Sequence, residues 1–264
     1  MGVNFSTFIG VEVCPDRAHP FTFSVIDRDL VIRSLGSGML KDAFAFLAGQ
    51  ENAIAAINSP MTTSQGLLKR EEIRQRLSPS SPLSHWANIR LVEYELLQRG
   101  IQVPRTPASK KRSPRWMRLG FQLFDEIHKL GYEQFPHASA EKQFFECQGE
   151  AVFWSLLGHS PLKKDTLEGS LQRQLVLGMC NLPVPDAMLF FEEITRHRLL
   201  NNKLPTDNLY SSAELNTLAA AYSAWLAGCQ PEKISAIGHE EEGFIYLPNQ
   251  TVVGYIRDES GEKQ

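Results

Sequence analysis

Glu12, Asn58 and Asn216 are the side chains whose types and settings could do chemistry together. Glu12 lies in an apolar, β-branched run, residues 8–13, read as a strand. Strand alternation sets Phe8, Gly10 and Glu12 on one face and Ile9, Val11 and Val13 on the other. Glu12 then falls near the C-terminal end of a central strand, where open α/β sheets place their ligands. A carboxylate there is either a ligand-binding group or an inert glutamate at the sheet rim. Asn58 ends a second apolar run, 53–57, before Ser59-Pro60. It either faces the same crevice or serves the turn. Asn216 and Glu214 lie in the first turn of a helical stretch, 213–227. Asn216 sits about 100° round from the core position Leu215, so it can flank the crevice. Glu214 either joins the site or complements the helix dipole.

Other charged groups admit two readings each. Glu146 interrupts an apolar run, with Glu150 one helical turn beyond. It is either functional or paired with a base, for which Lys163, Lys164 and Arg173 are the candidates. The segment 105–118 holds six bases (Arg105, Lys110, Lys111, Arg112, Arg115, Arg118) and no acid. Such a run either grips a nucleic-acid backbone or is a solvated loop or protein-docking arm.

Several chemistries are excluded. The histidines form no H-x-x-x-H pair, and no phosphate-binding G-x-x-x-x-G-K-[ST], dinucleotide-binding G-x-G-x-x-G or nucleophile-elbow G-x-S-x-G occurs. Cys14, Cys147, Cys180 and Cys229 form no C-x-x-C, which argues against a zinc ribbon and for a reducing compartment. Net charge is -3 (27 Lys+Arg against 30 Asp+Glu), so nucleic-acid binding would need a local patch. No apolar run approaches the roughly 20 residues that cross a bilayer, and residues 1–6 carry no secretory signal. A cytoplasmic protein is the expectation.

The elements that must position these groups are legible as a pattern. Strands are expected at 8–13, 21–26, 30–35, 53–57 and 144–147, the second and third joined by a turn at Asp27-Arg28-Asp29. Helices are expected at 40–50, 88–99, from Trp116 to Leu130, and at 150–157, 167–177, 186–200 and 213–227. Two short strands, 243–247 and 251–256, close the chain. Residues 78–82 (Ser-Pro-Ser-Ser-Pro) read as a loop, and residues 61–118 as an exposed insertion in the main sheet. The pattern is α/β.

Seven stretches in this order resemble the domain of unknown function family 429, a group of predicted nucleases with a ribonuclease-H-like fold. Ile9-Gly10-Val11-Glu12 resembles its opening Gly-Val-Asp strand, and Ala55-Ala56-Ile57-Asn58-Ser59-Pro60 its Ala-Ile-Asp-Ala-Pro segment. The stretch from Arg90 through Glu93 to Arg99-Gly100-Ile101 resembles its middle motif. Phe145-Glu146-Cys147, Lys163-Lys164 with Arg173, Asn216-Thr217-Leu218-Ala219-Ala220-Ala221 and Glu241-Glu242-Gly243-Phe244-Ile245-Tyr246-Leu247-Pro248 resemble the later ones. The resemblance implies one domain with a ribonuclease-H-like mixed sheet: a three-strand meander, a helix, further strands, and helices on both faces. It also implies acids that hold Mg²⁺ or Mn²⁺ for phosphodiester hydrolysis.

The chain departs from that pattern at the acids. Glu12, Asn58 and Asn216 stand where the family has aspartates, so two negative charges are lost. Glu214, Glu146 or Asp16 could compensate. Two functions are therefore carried forward. In the first, a metal-dependent nuclease uses Glu12, Asn58 and Asn216 at the metal, with Lys163, Lys164, Arg173, Lys110, Lys111 and Arg112 on the substrate. In the second, an inactive descendant binds nucleic acid, a nucleotide or a protein partner without cleaving it.

Overall fold

The computed structural model describes residues 3–77, 88–191, 193–203, 206–249 and 251–252. The expected loop at 78–82 and most of the expected strand at 251–256 lie outside them. Thr251 and Val252, which are described, are not in a strand.

Strands β1 (Thr7–Val13), β2 (Phe21–Asp27) and β3 (Ile32–Gly38) form an antiparallel meander. Helix α1 (Leu40–Ala48) leads to β4 (Ala53–Asn58), which runs parallel to β1. A long connection follows, carrying α2 (Glu71–Leu77), α3 (Leu91–Gln98) and α4 (Arg115–Ile127). It returns through the short β5 (Glu133–Gln134) to β6 (Lys142–Cys147), parallel to β4. Helices α5 (Gly149–Leu157), α6 (Leu167–Met179), α7 (Glu193–Leu200) and α8 (Ser212–Cys229) precede a final pair, β7 (Ile234–His239) and β8 (Gly243–Pro248). The sheet order is β3-β2-β1-β4-β6-β8-β7, with β5 pairing β6. This is a mixed α/β sheet with helices on both faces, consistent with the ribonuclease-H-like architecture expected from sequence.

The central strands β1, β4 and β6 are continuous apolar runs because both faces are covered. Phe8, Ile54, Ala56 and Phe145 pack under α5, α6 and α8. Ile9, Val11, Ala55, Ile57 and Phe144 pack under α1 and α4. Helix α8 comes unusually close to the sheet. A Cβ at Gly10 would lie 1.8 Å from the Thr217 carbonyl oxygen, so only glycine fits beneath the helix there. Ser24 Oγ donates to the same carbonyl at 3.1 Å and fixes the crossing.

Some boundaries differ from expectation. The third strand begins at Ile32, not Leu30, because Leu30 adopts φ 62° in a turn whose backbone the Asp27 carboxylate caps at Asp29 and Val31. The helix expected over 88–99 starts at Leu91, where the Glu93 carboxylate caps the Arg90 N–H. The single helix expected over 186–200 is a 3-10 turn, Ala187–Phe191, followed by α7. Met188, Leu189 and Phe191 are exposed there, so no buried stripe sustains an α-helix. Within 105–118, Lys110–Arg112 form a 3-10 turn and α4 starts at Arg115, directly after Pro114. No helix among the described residues is long and apolar enough to cross a membrane.

Candidate functional site

Glu12 and Asn58 are side by side because β1 and β4 are parallel neighbours with these two residues in register. Both point to the face covered by α8, as strand alternation requires. The close crossing at Gly10 then brings Asn216, in the second turn of α8, down onto the same point. Asn58 Nδ2 donates to Glu12 Oε2, and Asn216 Nδ2 donates to Glu12 Oε1 at 3.3 Å. Asn216 Oδ1 is buried and has no hydrogen-bond partner among the described residues. The first residue of α5 completes the enclosure: a Cβ at Gly149 would lie 2.9 Å from the Asn216 carboxamide and 3.1 Å from Asn58 Nδ2.

These residues form the floor of a cleft of about 670 Å³ at the C-terminal ends of the parallel strands. Gln148, which caps α5 by accepting from the Ala151 N–H, adds to the floor. Val103, Pro104 and Trp116 form an apolar wall. The loop 161–166 also lines the cleft and brings Lys163 and Lys164 to it beside Asp165. Among the described residues neither lysine has an ion-pair partner within 4 Å.

Burial pushes the Glu12 carboxyl up to about 8. The N–H groups of Asn216 and Asn58 and the charge of Lys164 pull it back, while Glu150 pushes it further. Near neutrality Glu12 is therefore mostly protonated. The floor is then a nearly neutral hydrogen-bonding surface of one carboxyl and two carboxamides.

That donor set does not fit the pair of divalent ions that the resemblance implies. Such ions prefer several carboxylate oxygens. Here there is one carboxyl, and both carboxamides turn their N–H groups toward it rather than their oxygens toward a common centre. No group of three or more His, Cys, Asp or Glu side chains among the described residues could hold a metal.

The other acids expected at the site are elsewhere. Glu146 points to the opposite face of the sheet, where Arg90 Nη2 and Nη1 reach it at 2.5 and 2.8 Å and the Met61 N–H at 2.7 Å. Arg90 also bonds Glu93 at 3.1 Å, and all three side chains are buried. Burial opposes the charge on Arg90, but the two carboxylates outweigh it and raise its pKa. Glu146 is thus a buried ion-pair member whose partner is Arg90, not Lys163, Lys164 or Arg173. Glu214 is spent on capping α8, accepting from the Ser211 N–H and Oγ at 2.7 Å each. Asp16 is exposed and accepts from the Ala18 N–H.

Among the expected substrate contacts, Lys163 and Lys164 line the cleft. Arg173 does not, because its side chain is only 1% exposed and is committed to Glu150 and to backbone carbonyls. Lys110 pairs with Asp125 at 2.8 Å, and it shares with Lys111 a separate surface hollow. Neither of these two, nor Arg112, lines the cleft. Sequence reasoning overlooked Trp116, taken only as the start of a helix, and Gln148. The position of Gln148 directly after a parallel strand was the available signal. Comparison with family models, with curated proteins and with solved structures finds no match to this chain.

Proposed function

We propose that the chain is a binding protein whose cleft takes a nucleotide-sized anion and does not hydrolyse it by a metal-assisted route. The observation that carries this reading is the floor: Glu12 bonded by two carboxamides, in a cleft that two lysines also line. The cavity volume lies in the range of small-molecule sites. Its apolar wall with Trp116 suits a planar base, and its lysines suit phosphate oxygens. A metal-dependent nuclease, the activity implied by the family resemblance, would need the acids that Asn58 and Asn216 replace.

Parallel calorimetric titrations test this reading. Wild-type protein and Glu12→Gln are each titrated with Mn²⁺ and with a nucleoside 5′-monophosphate. The expected result is nucleotide binding by wild type and no Mn²⁺ binding at millimolar metal. Mn²⁺ binding by wild type that Glu12→Gln abolishes would overturn it in favour of the nuclease. Absence of nucleotide binding would remove the ligand class.

A further inference from the structure

The geometry points to the loop 161–166 as a binding site for a terminal phosphate monoester, with buried Arg173 as the residue that positions its two lysines. This rests on the nucleotide reading of the cleft and names the chemical group that reading requires.

The loop is fixed from beneath to a degree that a solvated turn does not need. Arg173 Nη1 donates to the Leu162 carbonyl at 2.8 Å and to the Gly169 carbonyl at 3.0 Å. Gln172 accepts from the Leu162 N–H at 2.7 Å. The Lys163 carbonyl accepts from Thr166 Oγ at 2.9 Å and from the Thr166 N–H at 3.1 Å. A Cβ at Gly169 would lie 1.9 Å from that same carbonyl oxygen, so the lysine backbone rests directly on the first turn of α6. The backbone of Lys163 is thereby held while both lysine side chains line the cleft. Ordering the loop in advance removes an entropy cost from ligand binding.

Arg173 has a second effect. Its Nη2 bonds both oxygens of Glu150, at 3.0 and 2.8 Å. Glu150 lines the cleft and is 25% exposed, so without Arg173 it would present an unpaired negative charge to an incoming anion. A guanidinium suits this task, since Nη1 and Nη2 carry four N–H donors for two carbonyls and two carboxylate oxygens, where an ammonium has three. Two lysines lining one cleft, set against the single charge of Asp165, match a phosphate monoester of charge about −1.5 to −2 better than a singly charged diester.

The test is calorimetry with four probes: inorganic phosphate, a nucleoside, its 5′-monophosphate, and a dinucleoside monophosphate whose only phosphate is an internal diester. The monophosphate is expected to bind at least tenfold more tightly than the nucleoside or the diester, with inorganic phosphate competing. Lys163→Ala with Lys164→Ala should erase that advantage. Arg173→Lys should erase most of it while leaving nucleoside affinity unchanged, which a general loss of structure would not do. If Arg173→Lys fails to fold, Gln172→Ala loosens the same loop without disturbing a buried charge, and should lower monophosphate affinity severalfold. Equal binding of diester and monoester would overturn this assignment and leave the cleft reading standing. Monophosphate affinity unchanged in Arg173→Lys or in Gln172→Ala would overturn the positioning role. Absence of binding by every probe would overturn both the assignment and the reading beneath it.

Discussion

Asn216 meets Glu12 at 3.3 Å across 204 residues of sequence, and Asn58 completes the contact from the neighbouring strand. Burial of this group has a pH signature. The Glu12 carboxyl is raised from 4.5 to about 8 in the folded chain. Below pH 4.5 it is protonated whether the chain is folded or not. Between pH 4.5 and 8 the unfolded chain ionises first, so stability falls as pH rises, at most about 1.4 kcal/mol per unit. Above pH 8 the loss levels off. Glu12→Gln removes this slope, so the variant should gain on wild type steadily from pH 5 to 8. Urea unfolding of both proteins at four pH values checks it, and a pH-independent difference would sink the idea.

Restoring the two acids should convert the floor. Asn58→Asp with Asn216→Asp places three carboxyls together and removes the two N–H donors to Glu12. Without metal, the variant should lose about 3 kcal/mol or more at pH 8, the scale of uncompensated buried charge. Mn²⁺ should return much of that stability by binding only the folded state. Thermal denaturation with and without Mn²⁺ reads the effect. A melting temperature indifferent to Mn²⁺ would show that these three positions do not form one metal-sized site.

Arg90 should matter for stability and not for ligand binding. It holds two buried carboxylates, Glu146 and Glu93, and none of the three lines the cleft itself. Arg90→Met should cost about 3–5 kcal/mol because both are left without their cation. Adding Glu146→Gln should recover part of the loss. A change below about 1 kcal/mol in the single variant, measured by urea unfolding, would contradict the buried network.

Gly10→Ala tests the seat of α8. The added methyl would fall 1.8 Å from the Thr217 carbonyl oxygen, and Ser24 Oγ holds that carbonyl in place. The cost should meet or exceed the about 1–3 kcal/mol typical of overpacking. Ligand affinity should fall too, since Asn216 moves with the helix. Retention of wild-type stability would mean that the helix shifts freely.

The strands and helices with strong local signals were legible in the sequence. Residues 8–13, 21–26, 53–57 and 144–147 are apolar and β-branched or aromatic because helices bury both sheet faces around them. Strand β7 was not legible: Ser235 and Ala236 are exposed on an edge strand and Gly238 adopts φ 126°, so no alternation marks it. The short polar helix α2 gave no stripe either, with Ile73 its one buried residue. Strand ends and a helix start marked Glu12, Asn58 and Asn216 each as able to face one crevice, and the family resemblance is what set them side by side. The pairing of Glu146 with Arg90 was not legible, because 56 residues separate them and burial, not spacing, selects the partner. Arg173 was visible as a cation near the right place. Only its burial distinguishes a residue that holds the loop from one that touches a ligand.

Gly149 presses backbone against Asn216 and Asn58, and Gly10 seats the helix that carries Asn216. Main chain thus helps set the spacing of the floor residues. Asparagine and aspartate have nearly the same shape, and their codons differ by a single base. A lineage carrying this scaffold could exchange a neutral floor for an anionic one by point mutation, while the shape of the cleft stayed constant.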